Sequence, residues 1–256
     1  MVNLTIDGKA LSVPEGTSIL EAALQHGIYI PHLCYHPWVG PIESCRLCVV
    51  EVEGAARPVP ACATPVTEGM VVRTDSDRLR RLRREALQLI VANHPLDCPV
   101  CDKAGECELQ RLVYELEITD VPYRPAPPEE RIDYASPLME RYGTRCVRCG
   151  RCVKVCQERQ GVGALVFVGS GYATRVDTPD GGPLSCEFCG QCMAVCPVGA
   201  ILSKPFKFKS RVWFLEKHAG VCPYCGAGCA LEWNTRQERV LRVTSDPLSH
   251  SQGDLC

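Results

Sequence analysis

The 256-residue sequence contains 19 cysteines, and their spacing is its clearest chemical signal. Residues 146–156 read CVRCGRCVKVC, and residues 186–196 repeat the pattern as CEFCGQCMAVC. This C-x2-C-x2-C-x3-C spacing is typical of bacterial ferredoxins with two clusters, in which the fourth cysteine of each copy binds the other cluster. Two zinc sites are the alternative, although zinc sites usually join two pairs of ligands across a longer gap. The repeat predicts two [4Fe–4S] sites, one at Cys146, Cys149, Cys152 and Cys196 and one at Cys186, Cys189, Cys192 and Cys156.

A separate group of four cysteines precedes the repeat. Its spacing resembles the plant-type C-x4-C-x2-C…C pattern with a longer first gap, which predicts a [2Fe–2S] cluster, with a zinc ribbon as the alternative. His32 and His36 flank this group and are interpreted as loop residues, because four thiolates already suffice. Arg46 is either a hydrogen-bond donor to the cluster or an exposed side chain. The predicted [2Fe–2S] ligands are Cys34, Cys45, Cys48 and Cys62.

Two further groups complete the set. One imidazole with three thiolates suits zinc and iron alike, but His94 ends a predicted helix just before the cysteines, and no other cysteine is spare. An imidazole ligand would raise the cluster potential relative to four thiolates. In the last group, Gly220, Gly226 and Gly228 are expected to let the loop wrap a cluster, and we expect that cluster to be the most labile, because it needs the final residue. The predicted [4Fe–4S] ligands are His94, Cys98, Cys101 and Cys107, and then Cys222, Cys225, Cys229 and Cys256.

Composition supports metal binding over disulfides. The start of the chain lacks the charged and apolar regions of a secretory signal, and no apolar run approaches the roughly 18 residues of a membrane span. We therefore expect a cytoplasmic protein that meets a membrane only through partners, with its thiols reduced. An odd cysteine count also fits poorly with a closed disulfide framework. A net charge of −2 and an aromatic content of 6% give no indication of nucleic-acid binding.

The elements that must position these ligands can be read from local patterns. Val2, Leu4 and Ile6 alternate with polar residues before an Asp-Gly turn, which predicts a β-hairpin. A capping box at residues 18–21 begins a helix that should end at Gly27. A hairpin and helix ahead of a cysteine loop predict a β-grasp ferredoxin module. Apolar periodicity predicts a second helix over residues 75–93. We interpret its basic face as solvated, with docking to an acidic partner as the alternative: Arg78, Arg80, Arg81, Arg83 and Arg84.

These patterns predict an α+β chain of several units. Prolines and charges over residues 121–137 indicate a linker. The predicted order is a β-grasp [2Fe–2S] ferredoxin-like domain (1–74), a helical domain with the histidine-plus-three-cysteine cluster (75–120), a linker (121–140), a two-[4Fe–4S] ferredoxin-like domain (141–210) and a short cluster-binding segment (211–256).

The order of these motifs resembles the N-terminal region of the large iron–sulfur subunit of respiratory complex I. Similar modules occur in the alpha subunit of NAD-linked formate dehydrogenases and in the diaphorase small subunit of NAD-reducing hydrogenases. Residues 93–98 (NHPLDC) and 105–110 (GECELQ) resemble the histidine-ligated cluster motif of that family. Residues 222–256 resemble the cluster-binding start of molybdopterin-containing formate dehydrogenases, and no pterin-binding domain follows them here.

The resemblance implies an electron-transfer subunit with one [2Fe–2S] and four [4Fe–4S] clusters and no catalytic site of its own. Its expected partners are a flavoprotein that oxidises NAD(P)H and a second redox subunit, such as a hydrogenase, formate dehydrogenase, quinone or ferredoxin module. The glycines of residues 161–163 and 169–171 do not complete a nucleotide-binding G-x-G-x-x-G and are interpreted as turns. Two alternatives remain, namely a truncated catalytic molybdenum or tungsten formate dehydrogenase or complex I subunit, and a structural zinc protein.

Overall fold

The computed structural model describes residues 1–123, 125, 131–246 and 249–253. The predicted hairpin is confirmed, since strands β1 (Val2–Ile6) and β2 (Lys9–Val13) pair antiparallel. Asp7 and Gly8 at its turn have φ values of 48° and 82°. A two-residue turn with both φ values positive matches the right-handed twist of the two strands.

A five-stranded sheet surrounds this hairpin in the order β2-β1-β5-β3-β4. Strands β1 and β5 run parallel and the other pairs run antiparallel. The predicted capping box begins helix α1 (Ile19–Gln25), in which the Ser18 side chain and Glu21 cap each other. This arrangement confirms the predicted β-grasp unit. Its remaining strands are β3 (Val49–Val52), β4 (Val59–Pro60) and β5 (Met70–Arg73).

The predicted second helix is α2 (Asp77–Ala92), with Ser76 as its N-cap. One member of its basic face is not solvated. Arg83 is only 4% exposed and donates hydrogen bonds to the carbonyl oxygens of Leu47, Val49 and Thr74. The expectation of a fully exposed basic face is therefore wrong at this position, because α2 packs on the loop that leads into β3. Helix α3 (Glu108–Glu115) follows, with Cys107 as its N-cap.

The repeated cysteine segments form a ferredoxin-like unit. Its three-stranded sheet has the order β10-β7-β6, and β8 and β9 form a hairpin between the two halves. Strands β6 and β7 lie within the segment predicted as a linker, so this sheet begins earlier in the chain than the sequence suggested; residues 124 and 126–130 lie outside the described residues. Its elements are β6 (Ile132–Asp133), β7 (Met139–Tyr142), α4 (Arg151–Lys154), β8 (Val166–Val168), β9 (Arg175–Asp177), α5 (Gln191–Ala194) and β10 (Ile201–Ser203).

A three-stranded antiparallel meander ends the described chain, formed by β11 (Glu216–Val221), β12 (Ala230–Arg236) and β13 (Arg239–Ser245). Gly220 is part of β11 rather than of a flexible loop, which corrects the expectation for this glycine. A Cβ at Gly220 would lie 2.1 Å from Nε1 of Trp233, so this glycine lets an indole pack across the strand. Gly226 and Gly228 do lie in the loop between β11 and β12.

Two hydrophobic cores stabilise these elements. The smaller core belongs to the β-grasp sheet and α1 and includes Cys48 and Cys62. The larger core joins the first cysteine loop, α2, α3 and the ferredoxin-like unit. It includes six cysteines, Cys34, Cys45, Cys149, Cys152, Cys192 and Cys196. Among the described residues, no helix combines the length and apolar character needed to span a lipid bilayer.

Candidate metal centres

The first cysteine group lies where the two cores meet, and all four of its side chains are buried. The Cys34 and Cys45 thiols hydrogen-bond each other, which lowers the pKa of Cys34 to about 5 and raises that of Cys45. A hydrogen bond likewise joins Cys48 and Cys62, lowering the pKa of Cys48 and raising that of Cys62. The two thiol pairs match a [2Fe–2S] cluster, in which four cysteines are shared between two irons.

The loop around this group settles the side chains that flank it. Arg46 adopts φ of 56°, its side chain is 59% exposed, and it lies 3.8 Å from Glu43. It is therefore an exposed residue and not a donor to the site. The Nδ1 atom of His32 contacts the Ile30 carbonyl oxygen at 2.7 Å, and Nδ1 of His36 accepts from the Trp38 amide at 3.2 Å. These backbone contacts agree with the interpretation of both histidines as loop residues.

The second group is built at the end of α2 and the start of α3. Cys101 interacts electrostatically with Cys98 and Cys107, so the three thiols share one pocket. Burial raises the pKa of Cys101 and raises that of Cys107 to about 11. Thiols of this kind release their protons when a metal binds, which couples loading to pH.

His94 has the environment of a metal ligand. Its Nδ1 atom is buried and has no hydrogen-bond partner among the described residues, while the ring also hydrogen-bonds the backbone of Arg145. Metal-binding histidines commonly use one nitrogen for the metal and the other for a carbonyl oxygen. Burial lowers the pKa of His94, which favours the neutral imidazole that binds metals. The chemistry of this donor set therefore fits a cluster held by three thiolates and His94.

The ferredoxin-like unit brings its eight cysteines together in the crossed arrangement predicted from the repeat. Cys152 interacts electrostatically with Cys146, Cys149 and Cys196. Burial raises the pKa of Cys192 to about 12, and Cys186, Cys189 and Cys156 are among the thiols that add to this shift. The last cysteine of each copy thus lies with the first three of the other copy.

The backbone repeats along with the cysteines. Gly150 and Gly190 both have the left-handed conformation, with φ of 82° and 79°, and each caps a short helix. Two residues before each glycine, Arg148 and Phe188 have φ of 54°, and their amides donate to the thiols of Cys146 and Cys186 at 3.4 Å. Amide donors aimed at sulfur are suited to stabilise a negatively charged cluster.

The last group is only partly described. The Cys222 amide donates to the Cys229 carbonyl oxygen at 2.9 Å, which closes the loop, and Cys225 is exposed at its tip. The predicted fourth ligand, Cys256, lies outside the described residues. His250 contacts the Ala227 carbonyl oxygen at 2.9 Å, so the segment before Cys256 returns to this loop.

The spacing of these groups separates clusters from single ions. A zinc ion binds thiolate and imidazole ligands at roughly 2.0–2.3 Å, so its ligands crowd around one point. Within the described ranges, no three His, Cys, Asp or Glu side chains are arranged to hold one metal ion. Groups of cysteines spread around a larger centre fit iron–sulfur clusters, and their burial supplies the low-polarity surroundings that such clusters use.

Comparison with known protein families covers nearly the whole chain. The matches in chain order are the 2Fe-2S iron-sulfur cluster binding domain (1–77), the NADH-ubiquinone oxidoreductase-G iron-sulfur binding region (83–122), the ferredoxin-like domain of NADH-quinone oxidoreductase subunit 3 (136–202) and the molybdopterin oxidoreductase Fe4S4 domain (215–256).

A solved structure decides the family. One chain of the crystal structure of a NAD+-reducing [NiFe]-hydrogenase in the H2-reduced state is 37% identical, with a TM-score of 0.77. The match covers 82% of this chain and 91% of that chain. This protein belongs to the NADH-ubiquinone oxidoreductase-G family of iron–sulfur proteins. As a member of that family it is an α+β electron-transfer region with a [2Fe–2S] cluster and several [4Fe–4S] clusters.

Curated members of the family are longer. The NADPH-Fe(3+) oxidoreductase subunit alpha of Geobacter sulfurreducens is 48% identical over all 256 residues, which make up 30% of that relative. The second NADH-quinone oxidoreductase G protein of Rhizobium meliloti is 42% identical over 251 residues, or 96% of this chain and 29% of that relative. The chain thus spans about a third of the length of these relatives.

Sequence reasoning missed two residues that hold the sites together. Arg151 lies between Cys149 and Cys152 and is 1% exposed, yet a basic residue in a cysteine loop gives no local sign of burial. The available signal was a difference within the repeat, where Gln191 occupies the same place. Gly199 lies against Cys101, a contact between residues distant in sequence that no spacing pattern reveals.

Proposed function

We propose that the chain relays single electrons through one [2Fe–2S] and four [4Fe–4S] clusters. The crossed grouping of the eight cysteines in the ferredoxin-like unit carries this proposal, because Cys152 lies with Cys196 and Cys192 lies with Cys156. Bound clusters supply one-electron chemistry at potentials set by ligand type, hydrogen bonds to sulfur and burial. The residues of the chain supply these three influences.

We assign the five ligand sets as the sequence predicts them. The two thiol pairs of the β-grasp unit hold the two-iron cluster. His94, with its unpartnered Nδ1 atom, completes the set of Cys98, Cys101 and Cys107. The return of His250 to the last loop supports a fifth cluster that Cys256 completes. All 18 described cysteines are free thiols, which supports a reducing, cytoplasmic setting.

The partners follow from what the relatives are. One relative is named as an NADPH-Fe(3+) oxidoreductase subunit and another belongs to a NAD+-reducing hydrogenase. We infer that a flavoprotein subunit exchanges electrons between NAD(P)H and the clusters, and that a second redox subunit lies at the other end. The described residues form no nucleotide-binding glycine motif, and the glycines at residues 161–163 and 169–171 lie in loops with positive φ values.

A second possibility is that the chain is the cluster-binding part of a longer oxidoreductase subunit. The match of residues 215–256 to a molybdopterin oxidoreductase cluster domain and the greater length of the curated relatives favour it. The 91% coverage of the hydrogenase chain favours a separate subunit. Intact mass of the polypeptide from its native source separates the two.

Iron and acid-labile sulfide analysis of anaerobically purified protein tests the proposal itself. One two-iron cluster and four four-iron clusters predict about 18 iron atoms per chain. Stoichiometric zinc in a colourless protein would show that the sites are structural. An iron content of about 14 atoms would show that one [4Fe–4S] assignment is wrong.

A further inference from the structure

Arg151 is a charged side chain in the interior of the ferredoxin-like unit. It is 1% exposed and is among the largest fully buried side chains of the described residues. Its Nη1 and Nη2 atoms donate to the two carboxylate oxygens of Glu108 at 2.6 and 2.8 Å. A buried guanidinium is costly unless it is paired and hydrogen-bonded, so this position requires a reason.

The contacts of Arg151 join three cluster loops. Nη2 donates to the carbonyl oxygen of Tyr35 at 2.7 Å, and Tyr35 follows Cys34 of the [2Fe–2S] group. Nη1 donates to the carbonyl oxygen of Val195 at 3.3 Å, next to Cys196. Glu108 follows Cys107 of the histidine-ligated group. One planar guanidinium thus fixes the loops of three centres at one point, which the fork of an arginine can do and a lysine cannot.

The same group acts on a single cubane site. Arg151 interacts electrostatically with Cys149 and Cys196, both assigned to one cluster. Its Nε atom is buried with no hydrogen-bond partner among the described residues, so a donor remains available to an acceptor that those residues do not provide. A positive charge and a free donor both favour the reduced, more negative form of a nearby cluster.

The repeat provides an internal comparison. Gly150 and Gly190 cap equivalent short helices, and the first residue of each is Arg151 in one copy and Gln191 in the other. Both side chains are buried, at 1% and 5% exposure. The backbone is therefore duplicated, while the charge is present in only one half.

We propose that Arg151 is a positioning residue that holds three cluster loops together and makes the cubane of Cys146, Cys149, Cys152 and Cys196 easier to reduce than its counterpart. The inference rests on the proposed electron-transfer function and specifies how one site is tuned. Reduction adds one electron to the cluster from an external donor and moves no proton to Arg151, because the guanidinium is already charged.

The test is a redox titration of the holoprotein followed by EPR, with dithionite as reductant. Arg151→Gln copies the residue of the other half. We expect one [4Fe–4S] signal to fall in potential so that its reduced-to-oxidised ratio drops at least tenfold at a fixed potential, equivalent to ~59 mV for one electron. Cys156→Ser identifies the signal of the second cubane, which Arg151→Gln should not move.

Two controls separate charge from structure. Arg151→Lys retains the charge and should keep most of the potential; a drop as large as that of Arg151→Gln would overturn the electrostatic part. Arg141→Gln removes another buried arginine of the same unit, which pairs with Asp133 at 3.0 Å and Asp177 at 3.4 Å. It should leave both cubane potentials unchanged, and an equal shift there would overturn the assignment to Arg151.

A variant with weakened folding still leaves the proposal testable. If Arg151→Gln loses iron, Glu108→Gln keeps the arginine and removes the neutralising carboxylate, which should raise the potential of the same cubane. An unmoved potential in Glu108→Gln would contradict the proposal. Iron content and the number of cluster signals in the unsubstituted protein test the proposed function separately, because they do not depend on Arg151.

Discussion

Gly199 of the ferredoxin-like unit lies directly against Cys101 of the histidine-ligated group, and a Cβ at Gly199 would stand 2.3 Å from the Cys101 sulfur. The backbone of one unit therefore forms part of the wall of the next cluster site. The amide of Glu108 also donates to the carbonyl oxygen of Pro197 at 2.9 Å, which fixes this approach. The segment after Cys196 thus serves two centres at once.

This contact makes Gly199→Ala a test of the histidine-ligated site. The added methyl group must displace the Cys101 thiol, because the nearby backbone cannot yield without breaking the Glu108–Pro197 hydrogen bond. We expect a loss of up to about four iron atoms per chain and of one [4Fe–4S] signal, measured by iron analysis and EPR. Gly226→Ala is the control, since a Cβ there meets no atom within 4 Å. A fully loaded Gly199→Ala protein with all signals intact would refute the placement of Cys101.

His94→Cys should keep its cluster and lower the potential. A thiolate carries a negative charge that imidazole lacks, so the reduced cluster becomes less favourable. We expect a decrease of at least about 59 mV, a tenfold change in the reduced-to-oxidised ratio, in an EPR-monitored titration. His218→Cys adds a cysteine on exposed strand β11 and should change no potential. An unchanged signal in His94→Cys would mean that His94 is not a ligand.

Arg83→Met should destabilise the β-grasp unit and its cluster. The substitution leaves the carbonyl oxygens of Leu47, Val49 and Thr74 without their buried donor, which costs about 3 kcal/mol. Because Leu47 and Val49 flank Cys48, the [2Fe–2S] absorbance should be lost at lower urea concentration than in the unsubstituted protein. Arg80→Met, on the exposed face of α2, should change stability by less than about 0.5 kcal/mol. Equal effects of the two variants would contradict this role of Arg83.

The C-terminal meander is attached through Arg242, which donates to both carboxylate oxygens of Glu106 at 2.9 and 2.8 Å. Burial acts to raise the pKa of Glu106, but Arg242 and Lys103 lower it overall. Ionised Glu106 therefore stabilises the fold above about pH 4.3, its unfolded value, and this contribution is lost as the pH falls through the lower folded pKa.

Glu106→Gln should therefore weaken the attachment at pH 7 by about 1 kcal/mol, with a smaller difference from the unsubstituted protein near pH 3.5. Tryptophan fluorescence during urea unfolding measures this, because Trp213 and Trp233 lie in this segment. Lys217→Ala breaks an exposed pair with Glu232 and should have a smaller effect at pH 7. A pH-independent effect of Glu106→Gln would show that the charge of Glu106 is not responsible.

The sequence predicted what depends on local pattern. The Asp7-Gly8 turn, the Ser18–Glu21 capping box and the helix that ends before His94 all follow from residues close in the chain, and the structure confirms them. The cysteine repeat predicted even the exchange of fourth ligands, because duplication leaves its own signature. Here local chemistry and global fold agree.

What the sequence could not predict depends on contacts between distant segments. Arg83 resembles its exposed neighbours on α2, and only the packing of α2 on the loop before β3 buries it. Strand β6 is short and lies beside a proline-rich stretch, so its pairing with β7 has no local signal. Gly220 has the composition of a loop residue, but its role is to accommodate Trp233. Tertiary context overrides propensity in each case.

The six cysteines of the larger core have a consequence for how the protein matures. Their sulfur atoms occupy the interior positions that aliphatic side chains fill in most domains, so the inorganic clusters would become part of the packing. Without iron and sulfide, that interior would consist largely of thiols with unfilled space between them. We therefore expect the nascent chain to reach its final packing only as clusters are inserted, which makes the cellular supply of iron and sulfide a folding factor for this protein.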